Sequence, residues 1–299
     1  MLTVNIKDEI DTVRASRDGH TFHERWAARR ALQLVFPKDD LFAIAVEGIS
    51  STETAKPGEK AEEVADLVLY YGRGDNFAAS ERLETVQFKY KLRPDEVTAS
   101  YLRKTIEKFC ATIIGYEKDF PPTEVDSKTA FIFVTNASFA PDLWAALAAL
   151  QSGTPALKGE ATKQAKYLSE ICATCGIQDP KRLFSRVEFR AAEKNLEGQS
   201  NALRRTLTAW SAGADSQAKL RLNGLQDLVL KKAGARGQGR NLIRREDVLD
   251  ALDCEPEDLF PADTRFIEVA AVVERAALES VCAKIEQLSV PIFVHADGG

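Results

Sequence analysis

Two runs of strand-forming residues, Leu67-Val-Leu-Tyr-Tyr-Gly72 and Glu84-Thr-Val-Gln-Phe-Lys-Tyr-Lys-Leu92, flank the turn-forming stretch Gly72-Arg-Gly-Asp-Asn76. Val, Leu, Tyr and Phe suit a pleated, half-buried surface, whereas Gly and Asn accept the backbone angles of a tight connection, so the segment is expected to fold as a hairpin. Successive side chains on a strand alternate between faces. Gln87, Lys89 and Lys91 should therefore line one side, and Val86, Phe88, Tyr90 and Leu92 the other. Asp66 opens the first run, so an acid on one strand faces polar groups on the next, and any chemistry belongs on that polar side.

Hydrolysis of a phosphodiester needs a hard cation held by oxygen ligands and a positive group to hold the attacking water and offset developing charge. Asp66 can supply a ligand and Lys89 the positive group. The pair, with the tripeptide Gln87-Phe88-Lys89, resembles the PD-(D/E)xK nuclease superfamily in its Mrr-like variant, where Gln takes the first place of the tripeptide. Gly19-His-Thr-Phe22-His-Glu24 resembles the signature on the opening helix of such domains, with Glu24 as the matching acid. Ala45-Val-Glu47-Gly-Ile-Ser50, Ala65-Asp-Leu-Val-Leu-Tyr-Tyr-Gly72 and Val86-Gln-Phe-Lys-Tyr90 resemble more closely the nuclease effector domain of bacterial antiphage systems. That family cleaves double-stranded DNA, and some members carry the nuclease at the N-terminus of a large STAND-type signal-transduction ATPase.

The resemblance implies a Mg²⁺-dependent (or Mn²⁺-dependent) deoxyribonuclease, an endonuclease acting on double-stranded DNA. Asp66 and Gln87 would ligate the metal, Lys89 would position the water, and Glu24 would restore the acidity lost by having Gln in the tripeptide. Glu47 is a further ligand; a strand-terminal acid facing water is its other reading. The implied fold is α/β, a restriction-endonuclease-like mixed sheet flanked by helices, with an α-rich C-terminal extension. The competing function class is an inactive nuclease-fold module that binds nucleic acid or a partner protein.

A net charge of -5 over 299 residues argues against a surface coated with nucleic acid, because neutralising phosphates takes clustered Lys and Arg. DNA contact is expected to be local, at Arg25, Arg29 and Arg30 around the first helix, at Lys91, and in the Gly-rich stretch that carries Lys231, Arg236 and Arg240. No apolar stretch approaches the length of a membrane span, and the N-terminus lacks a signal pattern, so a cytoplasmic protein is expected. Cys172-Ala-Thr-Cys175 has no second Cys or His pair at zinc-site spacing and no strand before it, so it reads as two reduced thiols near a helix end.

Downstream, Pro94 to Phe109 has Pro and acids at its start and apolar residues at helical spacing. Thr129-Ala-Phe-Ile-Phe-Val-Thr-Asn136 suits a buried strand, and Leu183 to Arg190 alternates as an edge strand would. The core is placed at residues 1–140 and its α-rich remainder at 141–240. Residues 241–299 read as a linker and the start of a second domain. The final Val290-Pro-Ile-Phe-Val-His-Ala-Asp-Gly-Gly299 resembles the first half of a P-loop without its Lys and hydroxyl residues. Either the chain ends inside a larger ATPase, through which it would homo-oligomerise, or Gly-Gly is an ordinary tail.

Overall fold

The computed structural model describes residues 6–35, 40–53, 65–93, 95–154, 158–211, 215–234 and 241–255. Its organising element is the hairpin expected from the strand-forming runs: β2 (Leu67–Gly72) and β3 (Ser80–Lys89) pair antiparallel, Leu67 opposite Val86 and Tyr70 opposite Leu83. β1 (Leu41–Val46) lies antiparallel on the other side of β2, with Val46 opposite Leu67. β4 (Thr129–Thr135) and β5 (Val187–Arg190) continue the sheet parallel to β3, and the two-residue β6 (Leu242–Ile243) pairs antiparallel with β1. The result is a six-stranded mixed sheet in the order β5-β4-β3-β2-β1-β6.

A parallel neighbour requires a crossover. α2 (Ala99–Tyr116) and α3 (Pro122–Lys128) carry the chain from β3 back to the start of β4. α4 (Pro141–Ser152), α5 (Glu160–Thr174) and the short α6 (Pro180–Phe184) lead to β5. α7 (Leu196–Ser211), α8 (Asp215–Ala233) and α9 (Arg245–Leu252) follow, while α1 (Ile6–Ala31) precedes the sheet. The expected α/β class is thus observed, with helices flanking a mixed sheet.

Alternation along β3 separates two layers. Leu83 joins Tyr70, Ile106, Phe109, Phe131 and Phe133 in the core beneath α2. Phe88 faces α1, its ring 6.1 Å from that of Phe22 and 5.1 Å from that of Trp26. Phe22 and Trp26 stand four residues apart and so share one helix face. Arg30, a turn further on, donates to Glu84 on β3 at 3.2 Å and to the Tyr71 hydroxyl on β2 at 2.9 Å, while Tyr71 donates to the same carboxylate at 2.6 Å. Apolar packing and a charged anchor together hold α1 against the hairpin.

Several boundaries differ from the sequence expectation. The helix read from Pro94 begins at Ala99, because Val97 forms a bridge with Phe139 before the helix can start. Leu183 and Phe184 belong to α6, so β5 is shorter than the alternating pattern suggests. β6 and α9, the latter a short helix that the sequence from Ile243 to Leu252 suggests, fall within residues 241–299, the stretch assigned to a linker and the start of a second domain. They belong instead to the unit that runs to Cys254, since Leu242 and Ile243 complete the edge of β1 and Asn241 Nδ2 donates to the carbonyls of Val46 and Ile49. The P-loop-like tail lies outside the described residues. Among those described, no helix is long and apolar enough to cross a membrane.

Candidate functional site

The sheet register brings two acids together where β1 ends and β2 begins. One residue beyond the Val46 and Leu67 pair, the Glu47 N–H donates to the Asp66 carbonyl at 2.9 Å. The Asp66 N–H in turn donates to Val86 at 3.1 Å, next to Gln87 on β3. Residues far apart in sequence thus occupy the neighbouring ends of three strands. Asp66 sits just before β2 rather than on it, and its Oδ2 accepts the Phe88 N–H at 2.6 Å. Glu47 holds φ at 52°, the left-handed region that residues with a Cβ seldom occupy. Such a conformation costs on the order of 1–3 kcal/mol and persists where surrounding structure enforces it.

α1 and α2 meet these strand ends from opposite layers. From α1 come His20, His23 and Glu24; from α2 comes Lys108, whose Nζ donates to Gln87 Oε1 at 3.1 Å. One ligand atom each from His20, His23 and Glu47 lies within 4.8 Å of the others. The His23 ring stacks on Phe88 at 4.7 Å and an interplanar angle of 27°.

Electrostatics couple the group. Burial raises the Asp66 carboxyl above its ordinary range, opposed by the Phe88 N–H and the Lys108 ammonium. Burial and then the Asp66 charge raise Glu47, and burial raises Glu24. His23 is pushed down to about 3 by burial, by His20 and by Lys108. Both carboxyls resist ionising chiefly because they are buried, and a cation bound beside them would offset that cost. Carboxylate and amide oxygens are the donor types a hard divalent cation takes, and Glu47, Asp66 and Gln87 bring them to neighbouring strand ends.

Beside the acids, α1 and α8 enclose a cleft of about 640 Å³, lined by residues that include Arg17, His20, Glu24 and Arg25. The volume is in the range of small-ligand sites. His20 belongs to both the cleft and the acid cluster.

The residues singled out from the sequence divide. Asp66, Gln87 and Glu47 come together, and Glu24 is close enough to act on the charge of Glu47. Lys89 turns instead to Tyr101, donating to its carbonyl and lying 4.5 Å over its ring. Lys108 is the cation bonded to Gln87, in the place where the sequence reading put Lys89. Among the cations expected to meet DNA, Lys91 is paired with Asp95, and Arg30 is held in the anchor to Glu84 and Tyr71. Arg25 donates to the Leu196 carbonyl at 2.6 Å while lining the cleft. Lys231 is exposed near the end of α8, and Arg236 and Arg240 lie outside the described residues. Cys172 and Cys175 are free thiols at the end of α5, as the sequence suggested.

The reading missed Lys108, His20 and His23. Lys108 was legible as a lysine within the apolar periodicity of α2, flanked at three and four residues by buried Thr105 and Thr112. His20 and His23 stand at the spacing that puts two side chains on one helix face.

No family model matches the chain, and no curated protein matches it. Among solved structures it is similar to the Cap4 SAVED/CARF-domain containing receptor of Moraxella osloensis, at 14% identity and a TM-score of 0.44, over 80% of this chain and 49% of that one. It is also similar to the Acinetobacter baumannii Cap4 SAVED/CARF-domain containing receptor with the cyclic trinucleotide 3'3'3'-cAAA, at 14% identity and a TM-score of 0.42, over 77% of this chain and 43% of that one. The chain thus spans less than half the length of each receptor. These comparisons correct the family expectation: they give receptors where a PD-(D/E)xK nuclease on a STAND-type ATPase was expected, and the DNA-endonuclease effector function falls with that resemblance.

Proposed function

We propose that the strand-end cluster is a divalent-cation site that binds the phosphodiester of a nucleotide ligand seated in the cleft between α1 and α8, and that the chain serves as a ligand-sensing module in antiphage defence. The observation that carries the reading is the backbone pairing of Glu47 with Asp66, which brings two acids to adjoining strand ends, close enough for the Asp66 charge to act on Glu47, with the Gln87 and Lys108 pair on the next strand. A cation such as Mg²⁺ or Mn²⁺, when bound, neutralises the acids and attracts phosphate oxygens. Glu47 and Asp66 would hold it, with Gln87 as a neutral oxygen donor. Lys108 is the cation at the strand ends, on the α2 side, and in the cleft Arg17 and Arg25 stand among the acids Glu24 and Asp227, so they would meet an anionic backbone as individual cations and not as a basic field.

The test is equilibrium binding of a labelled cyclic trinucleotide and of a short DNA duplex to the full chain, with Mn²⁺ and with EDTA, followed by chromatography of the ligand. Binding of the cyclic ligand that needs the cation, with the ligand recovered intact, is expected. Duplex preference would return the chain to the DNA partner read from its sequence, and recovery of cut ligand would make the site an enzyme's. Binding indifferent to EDTA and unchanged by Asp66→Asn would overturn the proposal.

A further inference from the structure

The geometry points to a site for a borderline divalent metal such as Zn²⁺, ligated by His20, His23 and Glu47. The inference rests on the cation-site reading and deepens it, since Glu47 is common to both and the two imidazoles specify which class of metal is held.

Three observations converge. His20 and His23, three residues apart on α1, present ring nitrogens to the same point as the Glu47 carboxylate, all within 4.8 Å of one another. Ligand atoms on one tetrahedral zinc at about 2.0–2.1 Å lie roughly 3.4 Å apart. Rotation of the His20 side chain, which is exposed, and of the Glu47 carboxylate, which keeps a solvent-facing edge although its surroundings partly desolvate it, closes that gap. The partners are also fixed from outside: His23 by stacking on Phe88, Glu47 by a left-handed backbone that its N–H bond to Asp66 maintains. Finally, His20 lines the cleft, so the face of the metal left open by three protein ligands would look into the space where a ligand enters.

Donor chemistry decides the metal class. Imidazole suits zinc, copper, iron and nickel, whereas magnesium and calcium favour all-oxygen sets. Two imidazoles with one carboxylate and an open position make a set of the kind found at catalytic zinc sites. A site read from acids alone would favour Mg²⁺; with His20 and His23 added, the preference moves to zinc.

The full chain is titrated with Co²⁺, whose visible absorption reports nitrogen ligation and low coordination number, and then with Zn²⁺ in competition. Strong cobalt bands displaced by Zn²⁺ are expected, with apparent Co²⁺ affinity falling at least tenfold in His20→Asn. His20 is exposed, so this substitution leaves the packing of α1 in place. Wild-type Co²⁺ affinity in both His20→Asn and the double variant with His23→Asn would overturn the inference. A parallel Mn²⁺ titration of Asp66→Asn separates the two readings. Loss of Mn²⁺ there with the histidine variants unaffected keeps the acid-based cation site and sinks the imidazole one, whereas no binding of any metal by the wild type sinks both.

Discussion

The carboxylate of Asp66 closes the end of β3: its Oδ2 accepts the Phe88 N–H over 2.6 Å. One side chain therefore serves two masters, a backbone donor and the charge of the cluster, and the two roles separate by substitution. Asp66→Asn keeps an oxygen for the Phe88 N–H and should unfold in urea close to wild type, yet lose cation affinity by about tenfold or more when titrated with Mn²⁺. Asp66→Ala leaves the N–H without its partner and should lose about 1–3 kcal/mol as well. An Asn variant that binds Mn²⁺ as tightly as wild type would reduce Asp66 to a strand cap.

Lys108 balances the group, since it bonds Gln87 and opposes the rise in proton affinity of both Glu47 and Asp66. Lys108→Met retains most of the aliphatic stem and removes the charge. Hydrogen bonds to charged groups contribute about 1.5–3 kcal/mol, so nucleotide binding should weaken on the order of ten- to a hundredfold, measured by fluorescence anisotropy. Lys89→Met should change it little, because Lys89 is engaged at Tyr101.

The left-handed backbone at Glu47 suits glycine. Glu47→Gly should hold or raise the midpoint of thermal unfolding, relief of roughly 1–2 kcal/mol of strain being partly offset by the greater freedom of glycine in the unfolded chain. The same change should abolish metal binding in the cobalt titration. A clear fall in the melting temperature would mean that the carboxylate itself stabilises the fold.

Asp75, in the connection between β2 and β3, is bonded to Arg244, just ahead of α9, and to Thr52 at 2.7 Å. Burial works against its charge, but those two hydrogen bonds outweigh it and hold its carboxyl below the ordinary 3.8. The unfolded chain therefore binds the proton first as pH falls. The stabilisation is present above pH 3.8 and is lost as pH drops through the lower folded value. Arg244→Ala should destabilise the protein at pH 7, and the difference from wild type should shrink below pH 3.8 in urea melts. A gap that stays constant with pH would remove the pair as its cause.

Much of the architecture was legible because local patterns agreed with the final packing. The hairpin followed from Gly and Asn between two β-rich runs, and Phe88 faced away from Gln87 because a strand has period two. β6 was not legible, since two residues carry no periodicity and their pairing with β1 joins segments nearly two hundred positions apart. At the proposed site, Asp66 and Glu47 stood out because each is an acid abutting an apolar strand, and Gln87 because it is an amide within one. Lys89 was assigned by its tripeptide, yet its long side chain had another partner within reach in Tyr101. His20 and His23 passed unnoticed because their significance depends on Glu47, which reaches them only after α1 docks on the hairpin. The family assignment failed for a related reason: short strand motifs specify a scaffold, and one scaffold hosts many activities.

The joining of Glu47 and Asp66 through the ends of β1 and β2, with Gln87 alongside on β3, has a consequence for folding. None of these side chains has its neighbours until three strands have zipped in register, so an unfolded or partly assembled chain offers no pocket for the ion. A cation held there would thus bind only the finished sheet, and would act as a clasp on its assembly. At a hundred times the dissociation constant it would shift the folding equilibrium by about 2.7 kcal/mol, enough to couple the supply of metal to the amount of folded protein.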